Sequence, residues 1–356
     1  MRVDLNWMMM RMMLYLNDVE ISLKKKTTVL NKGLLNFKKM TNLNKLTQNE
    51  GPFINTVQFH PTSTVALVAG SSGNSTIFQV DGKNNPILQI LKFEKFPIRC
   101  ARFSQDGNSF LVGSHKYSYY YVYDMIQGKS IRIPSHHLTG QTNMKKFELS
   151  PDGKLIAVVG KFGNIHLLNA KSKEWIDTLK INCEVMDICF TVDGLKLYSF
   201  GDNGEIYVWD MNSRLCIHRF TDEGCFKGTT IAISPNNQLL ACGSGSGIVN
   251  IYQTATALEN RNPQPMKTIF NLITPVSSLD FNSTSELLAM SSGDKENAAK
   301  LLHFPSLTVF KNFPVVRTSQ IGLVKSQAFS PNSGFIAYGN SANSALLYRL
   351  KHFGNY

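Results

Sequence analysis

The sequence predicts an all-β fold, a β-propeller of seven blades with four strands in each. Three observations carry that prediction. The chain repeats itself seven times, each copy holds apolar runs of strand length, and residues that tight turns require separate the runs. The clearest copy is "FTVDGLKLYSFGDNGEIYVWDMNSR" at residues 190–214.

Sliding that stretch along the chain finds six further copies. They begin at Phe59 ("FHPTSTVALVAGSSGNSTIFQV"), Phe103 ("FSQDGNSFLVGSHKYSYYYVYD") and Leu149 ("LSPDGKLIAVVGKFGNIHLLNA"). The others begin at Ile233 ("ISPNNQLLACGSGSGIVNIYQT"), Phe281 ("FNSTSELLAMSSGDKENAAKLLHF") and Phe329 ("FSPNSGFIAYGNSANSALLYRL"). With Phe190, the seven anchors lie 44, 46, 41, 43, 48 and 48 residues apart. A propeller blade repeats at about 40–45 residues, and longer loops stretch that spacing.

Within a unit, a short apolar run precedes a Ser-Pro-Asp-Gly-type turn, as at 185–190, and a second follows it, as at 195–200. A turn of Gly, Asn, Asp or Ser then leads into a third run. Pro presets φ and Gly accepts positive φ, which is why such turns use them. A fourth run lies between units, at 87–93, 130–134, 175–180, 216–220, 266–272 and 308–313. Four strands make one blade, and a lone blade cannot bury its faces, so neighbours must stack around an axis.

The seventh unit has only three runs, because the chain stops soon after "ALLYRL" (345–350). An unpaired sheet edge invites aggregation, so the ring must close on a strand borrowed from the other terminus. Residues 39–46, "KMTNLNKL", are the candidate. The expected organisation is a propeller over 39–356, preceded by a segment over 1–38 that is poorly ordered or partly helical.

Apolar residues make up 43% of the 356, enough for a packed core and too many for wholesale disorder. Lys and Arg number 37 against 25 Asp and Glu, a net charge of +12 that favours acidic partners, nucleic acid first. The first fifty residues hold nine of the bases and four of the acids, so the remaining bias is diffuse. The six cysteines (Cys100, Cys183, Cys189, Cys216, Cys225, Cys242) form no C-x-x-C pair and sit mostly in apolar runs. They read as small buried hydrophobes, with no metal site and no disulfide framework. Asn74 and Asn282 head chance glycosylation sequons. No run reaches the about 18 apolar residues of a membrane span. The Met-rich start is interrupted by Arg11 and has no small-residue cleavage site after it, so it does not read as a signal peptide.

Several motifs have a bland reading that outweighs a chemical one. "GSGSG" at 243–247 lacks the Lys of a phosphate-binding loop and occupies the second turn of its unit, where unit four has "GDNG". His136-His137 lies in a loop between units, with no acidic or Cys partner nearby in sequence. "YSYYYVY" at 117–123 could stack bases, but alternation on a strand turns half of its rings to the core. "KKK" at 24–26 is a weak nuclear-import signal. No Ser/His/Asp, Cys/His or paired-carboxylate set recurs, so no enzyme, cofactor or catalytic residue is expected.

The third run of unit four ends in Trp209-Asp210 and that of unit two in Tyr123-Asp124. These four residues read as structural, with Trp209 packed between blades and its indole N–H bonded locally. The units resemble WD repeats. Elsewhere the dipeptide is degenerate: Phe78-Gln79, Leu168-Asn169, Tyr252-Gln253, His303-Phe304 and Tyr348-Arg349. The Gly-His pair of that family is missing, which implies that its His-Asp-Ser-Trp hydrogen-bond network is mostly absent.

A more specific set of stretches includes "NEGPFINTVQFHP" (49–61), "FQVDGKNNP" (78–86), "GEIYVWDMNSR" (204–214) and "ACGSGSGIVNIY" (241–252). "NPQPMKTIFNL" (262–272), "FPSLTVFKNFPV" (304–315) and "SPNSGFIAYGN" (330–340) belong with them. From about residue 41 onward, the chain resembles the U-three small nucleolar RNA-associated protein eighteen family of WD-repeat proteins. That resemblance implies a nucleolar, non-catalytic scaffold of the small-subunit processome, acting in pre-rRNA processing among other processome proteins. It implies contact with pre-rRNA or snoRNA that is indirect or weak, and no membrane. Members of the family also carry a long charged N-terminal extension that docks the RNA exosome's helicase. Residues 1–40 hold no such acidic-hydrophobic segment, so that docking is not expected here.

Two other binding classes compete. A ubiquitin-ligase substrate receptor needs arginines converging from several blades, but Arg99, Arg102, Arg219 and Arg349 occupy unlike positions in their units. A phosphoinositide-binding propeller needs adjacent arginines, and the chain has no Arg-Arg pair. Which face meets which partner is left open by the sequence.

Overall fold

The computed structural model describes residues 30, 32–134, 144–314, 320–354 and 356. Seven strands stand around a central axis: Ile54–Phe59, Ile98–Phe103, Phe147–Leu149, Val185–Phe190, Gly228–Ile233, Ser278–Phe281 and Val324–Phe329. Each heads a four-stranded antiparallel sheet, and the seven sheets are the blades. In blades one to six, successive strands lie side by side from the axis outward. A short helix, α1 (Thr254–Glu259), is inserted before the last strand of blade five.

Burial explains how composition changes along a blade. Middle strands have neighbouring blades on both faces and are mostly apolar, and every residue of Val65–Gly70 and Phe335–Asn340 is buried. The outermost strand meets solvent, and Lys129–Ile133 is mostly exposed. Among the described residues the apolar core divides into seven clusters, one at each junction between neighbouring blades. Strand alternation does the sorting. Ala66 and Val68 join the junction with blade seven, while Val65, Leu67 and Ala69 join that with blade two.

The first turn of each unit uses one repeated bond. The side chain of Ser104, Ser150, Thr191, Ser234, Asn282 or Ser330 accepts from the backbone N–H five residues on, at 2.7–3.1 Å. Blade one substitutes His60, whose Nδ1 accepts from Ser63 N–H at 2.9 Å. Several turns also grip the next one. His60 Nε2 pairs with Gly107 O (2.9 Å), Val192 N–H donates to Asn237 Oδ1 (3.1 Å), and Ser283 N–H donates to Ser333 Oγ (3.1 Å).

The ring closes on Phe37–Lys39, which pairs antiparallel with Ala345–Leu350 in the register Phe37 to Leu350, Lys38 to Arg349 and Lys39 to Tyr348. The expected segment, 39–46, therefore shares only Lys39 with the strand. Beyond it Met40 and Leu43 still donate to Leu347 O and Ala345 O, at 2.8 Å each. The asparagines then turn the chain: Asn44 accepts from Ala345 N–H (2.9 Å) and donates to Asn343 O (2.9 Å) and Glu50 Oε2 (3.3 Å). Glu50, fully buried, also accepts from Thr47 (2.9 Å) and from Thr76 (2.8 Å) in blade one. Phe37 rather than a leucine anchors the strand, its ring 5.1 Å from that of Phe313.

Packing begins upstream of residue 39. Leu30 and Leu35 are buried between blades six and seven, and Asn312 brackets Leu35 with two hydrogen bonds (3.0 and 2.7 Å). The rest of the reading for 1–38, and the lysines at 24–26, lie outside the described residues. At the opposite end of the seam Tyr356 donates to Val65 O (2.7 Å) and sets its ring edge-on to Phe59.

Deleting residues 1–50 exposes the edge of Ala345–Leu350 and removes Glu50 from blade one. The truncated protein is expected to melt at a lower temperature and to aggregate on heating, as read by light scattering during thermal unfolding. Asn44→Ala, which leaves the strand intact, should cost about 1–3 kcal/mol in urea unfolding, the usual penalty for orphaning buried partners.

Candidate interaction surfaces

The inner strands surround an axial cavity of about 480 Å³. Its wall carries charge, and the charges join neighbouring blades. Arg102 of blade two holds Glu148 of blade three through Nη2–Oε1 (2.6 Å) and Nε–Oε2 (3.0 Å). Lys146 of blade three meets Asp187 of blade four at 2.6 Å. The second oxygen of Asp187 accepts from Thr230 Oγ1 (2.6 Å) and Ile231 N–H (3.1 Å) of blade five. Gln58 and Asp280 accept from Phe103 and Phe329 N–H of the following blade, at 2.7 and 3.1 Å. Burial works against the Arg102 charge, yet Glu148 beside it holds its pKa raised. These groups serve as inter-blade ties, and a tied carboxylate is poorly placed to act as a base.

Trp209 is buried at the junction of blades three and four and donates its indole N–H to Ser199 Oγ (2.9 Å). Asp210 accepts from Ser213 N–H (2.8 Å), and Asp124 accepts from Ile126 and Gln127 N–H (2.8 and 2.9 Å), so both cap the turn that follows. Tyr123 is buried between blades one and two, 5.2 Å from Phe110. Strand register corrects one equivalence. Leu197 pairs with Trp209 and Leu288 with Leu302, so the dipeptide of blade six is Leu302-His303, not His303-Phe304. At this level blade five uses a different network: Tyr252 OH and Asn250 Nδ2 donate to buried Asp222 Oδ1 at 2.6 and 2.9 Å.

Because strands alternate in direction, the second turns and the connections between blades emerge together at one end of the ring, here the upper face. Glycine holds them together. Gly204 and Gly247 have φ of +82° and +88°, and a Cβ on either would stand 2.5–2.6 Å from the carbonyl of Cys225 or Leu272 in the adjoining connection. In "GSGSG" Gly243 and Ser244 end the second strand of blade five and 245–247 form the turn, the place in the unit that the sequence indicates. On this face Phe226 is 96% exposed, Phe162 76%, Ile273 70% and Phe270 68%. They line an arc over blades three to five and lie outside the strands; the run 266–272 takes in Phe270, but the strand there is only Lys267–Ile269.

The four arginines do not converge. Arg99 is exposed at the upper end of blade two, and Arg102 is in the axial wall. Arg219 lies on an outer strand beside Glu205, and Arg349 donates to Gly334 O. Tyr117, Tyr119 and Tyr121 are half-buried against the core of blades one and two. His136-His137 is outside the described residues. Cys216 is exposed, unlike the buried Cys100 and Cys242. Among the described residues there is no group of His, Cys, Asp and Glu that could hold a metal ion, and no helix long and apolar enough to cross a membrane.

Trp209→Ala should cost about 3–5 kcal/mol in chemical unfolding, as large buried aromatics do. A loss confined to partner binding would contradict that. Asp280 supplies a second test, because burial pushes its pKa up to about 7 against the pull of Phe329 N–H and Arg102. The folded state keeps this proton while the unfolded chain loses it near about 3.9. Stability from the group is therefore full below that value and falls as pH rises toward 7. Asp280→Asn, which keeps an acceptor for Phe329, should flatten this segment of the profile in urea midpoints measured across the window.

Comparison with known proteins agrees with the geometry. Residues 216–253 match the WD domain, G-beta repeat family, a span that ends at Tyr252-Gln253, the fifth-blade equivalent of Trp209-Asp210. Over 305 residues, 85% of its length, the chain is 46% identical to the U3 small nucleolar RNA-associated protein 18 homologs of Mus musculus and Homo sapiens. It spans about half of each, 55% and 54%. The homolog of Caenorhabditis elegans is 32% identical over 309 residues, 85% of this chain and 72% of that protein. With these identities over 85% of a chain that folds as a closed seven-bladed ring, the chain belongs to the U3 small nucleolar RNA-associated protein 18 family.

Proposed function

We propose that this chain is a non-catalytic scaffold of the nucleolar small-subunit processome, needed for pre-rRNA processing and for building the small ribosomal subunit. Family membership supports the setting. The observation that carries the mechanism is the exposed arc of Phe162, Phe226, Phe270 and Ile273 on one face of a ring whose axial charges are spent on inter-blade bonds. Side chains this apolar and this exposed are what a protein partner covers. Protein contacts carry the assembly, and RNA contact adds a smaller share. The ubiquitin-ligase reading gains nothing, since the arginines it needs lie apart.

Phe226→Asp with Ile273→Asp tests this. Both side chains face solvent, so the melting temperature should stay within about 2 °C of wild type, as solvent-facing changes usually cost little. Purification of the tagged double variant from nucleoli should lose the protein partners that wild type retains. Depletion of the protein should make uncleaved small-subunit precursor accumulate while large-subunit rRNA stays near normal. Normal processing after complete depletion, or an exclusively cytoplasmic location, would reject the assignment.

A further inference from the structure

The tyrosines of "YSYYYVY" build a ladder at the upper end of blade two. Phe96 stacks on Tyr117 with ring centres 5.8 Å apart and planes 10° apart, and Tyr117 stacks on Tyr119 at 5.0 Å and 28°. The Arg132 guanidinium then lies 3.7 Å from the Tyr119 ring centre. Tyr121 braces the stack edge-on, 5.8 Å from Tyr119 and 5.0 Å from Phe96. Strand pairing sets the last member, because Arg132 lies opposite Tyr121.

Phe96 also meets Tyr119 directly, at 5.4 Å and 32°, so the rungs fold into a compact cluster in which Phe96 is fully buried and the Arg132 cap is exposed. Core packing accounts for its inner rungs. It does not account for an outer rung that is a planar cation resting on a ring. Nor does it account for the charge around it. Lys92, Lys95, Arg99, Lys116 and Lys145 are all exposed at the upper ends of blades one and two and the start of blade three, and the acid within 92–99 is Glu94. Among the described residues the ion pairs are those of Arg102, Lys146, Lys154, Arg214 and Arg219, so none neutralises these cations. Lys116, Arg99 and Lys145 also stand near enough to His115 to help burial hold its pKa down.

We propose that this end of blade two is a direct contact for single-stranded RNA, in which a nucleobase stacks on the outer plane of Arg132 and the surrounding lysines and Arg99 take the phosphates. Unpaired bases stack on aromatic rings and guanidinium planes alike. A duplex hides its base faces and could use only the charge. An acidic peptide would likewise use the charge but leave the stacking plane idle, so RNA fits both halves of the site. The proposal rests on the reading of this chain as part of an RNA–protein particle and names where RNA touches it.

The test uses the whole chain and a short fluorescein-labelled oligouridylate, with binding read by anisotropy. Arg132→Lys keeps the charge and removes the plane. It should weaken binding about ten-fold, the loss of one base stack, with the same dependence on salt. Lys116→Ala with Lys145→Ala should instead make that dependence shallower, since each phosphate contact contributes to it. Both variants alter exposed side chains and should melt with wild type, and either alone can fail the proposal. Equal affinity of wild type and Arg132→Lys would overturn it. So would equal binding of single strand and duplex, or displacement of the RNA by an acidic phosphopeptide at lower concentration than unlabelled RNA. Arg132→Lys should retain the protein partners of wild type, so loss of this contact is distinguishable from failure of the scaffold reading.

Discussion

The seam between blades seven and one is the interaction on which the rest of the ring depends. Each blade buries its two faces only against its neighbours, so the seven apolar clusters form a circle in which every cluster has two flanking sheets. A circle has no terminal unit to cap. If the seam opens, two faces and one edge meet water at once. That explains why so short a strand, Phe37–Lys39, is reinforced on both sides. Leu30 and Leu35 pack beneath it, Asn44 and Glu50 carry hydrogen bonds from blade seven into blade one, and Tyr356 ties the far end.

Within the circle, apolar burial supplies cohesion and polar groups supply register. Apolar packing alone tolerates sliding of one sheet over another. A hydrogen bond from Phe329 N–H to the Asp280 carboxylate, or the Arg102–Glu148 fork, does not. The same division explains how the ring dispenses with a uniform WD network. Blade four keeps Trp209 on Ser199, blade five joins Tyr252 and Asn250 on Asp222, and blade one brings Thr76 to Glu50. What every blade must satisfy is a filled junction with paired polar atoms, and different side chains satisfy it.

The parts legible in the sequence are those set by local rules repeated seven times. Ser150-Pro151-Asp152-Gly153 announces its turn because the Ser150 hydroxyl donates to the Asp152 carboxylate, and the two accept from the N–H groups of Leu155 and Lys154 just past it. The closing strand was harder to place, because three residues carry too little periodicity. Its identity is fixed by Phe313 and Tyr348, some 300 positions away in sequence. The dipeptide of blade six slipped by one residue for a related reason: register comes from the pairing of Leu288 with Leu302, and only the partner strand shows that. Glu50 and Asp280 look in sequence like ordinary surface acids. They become buried or half-buried ties only when another blade supplies Thr76 or Phe329 N–H.

The repeat also tells where function is to be sought. Seven copies of one unit produce seven nearly equivalent junctions, each filled by one apolar cluster. Positions free to differ are those the ring does not use, among them the exposed side chains of the second turns and connections on the upper face. There the copies diverge. Blade two has the extended loop from His115 to Tyr119 and its guanidinium-ended ladder, while blades three to five raise Phe162, Phe226 and Ile273 into solvent. Charge gathers around the first and apolar surface around the second. A pseudosymmetric frame thereby presents two chemically distinct regions at a fixed separation, which is what the proposed role as a scaffold requires and what no single blade could offer.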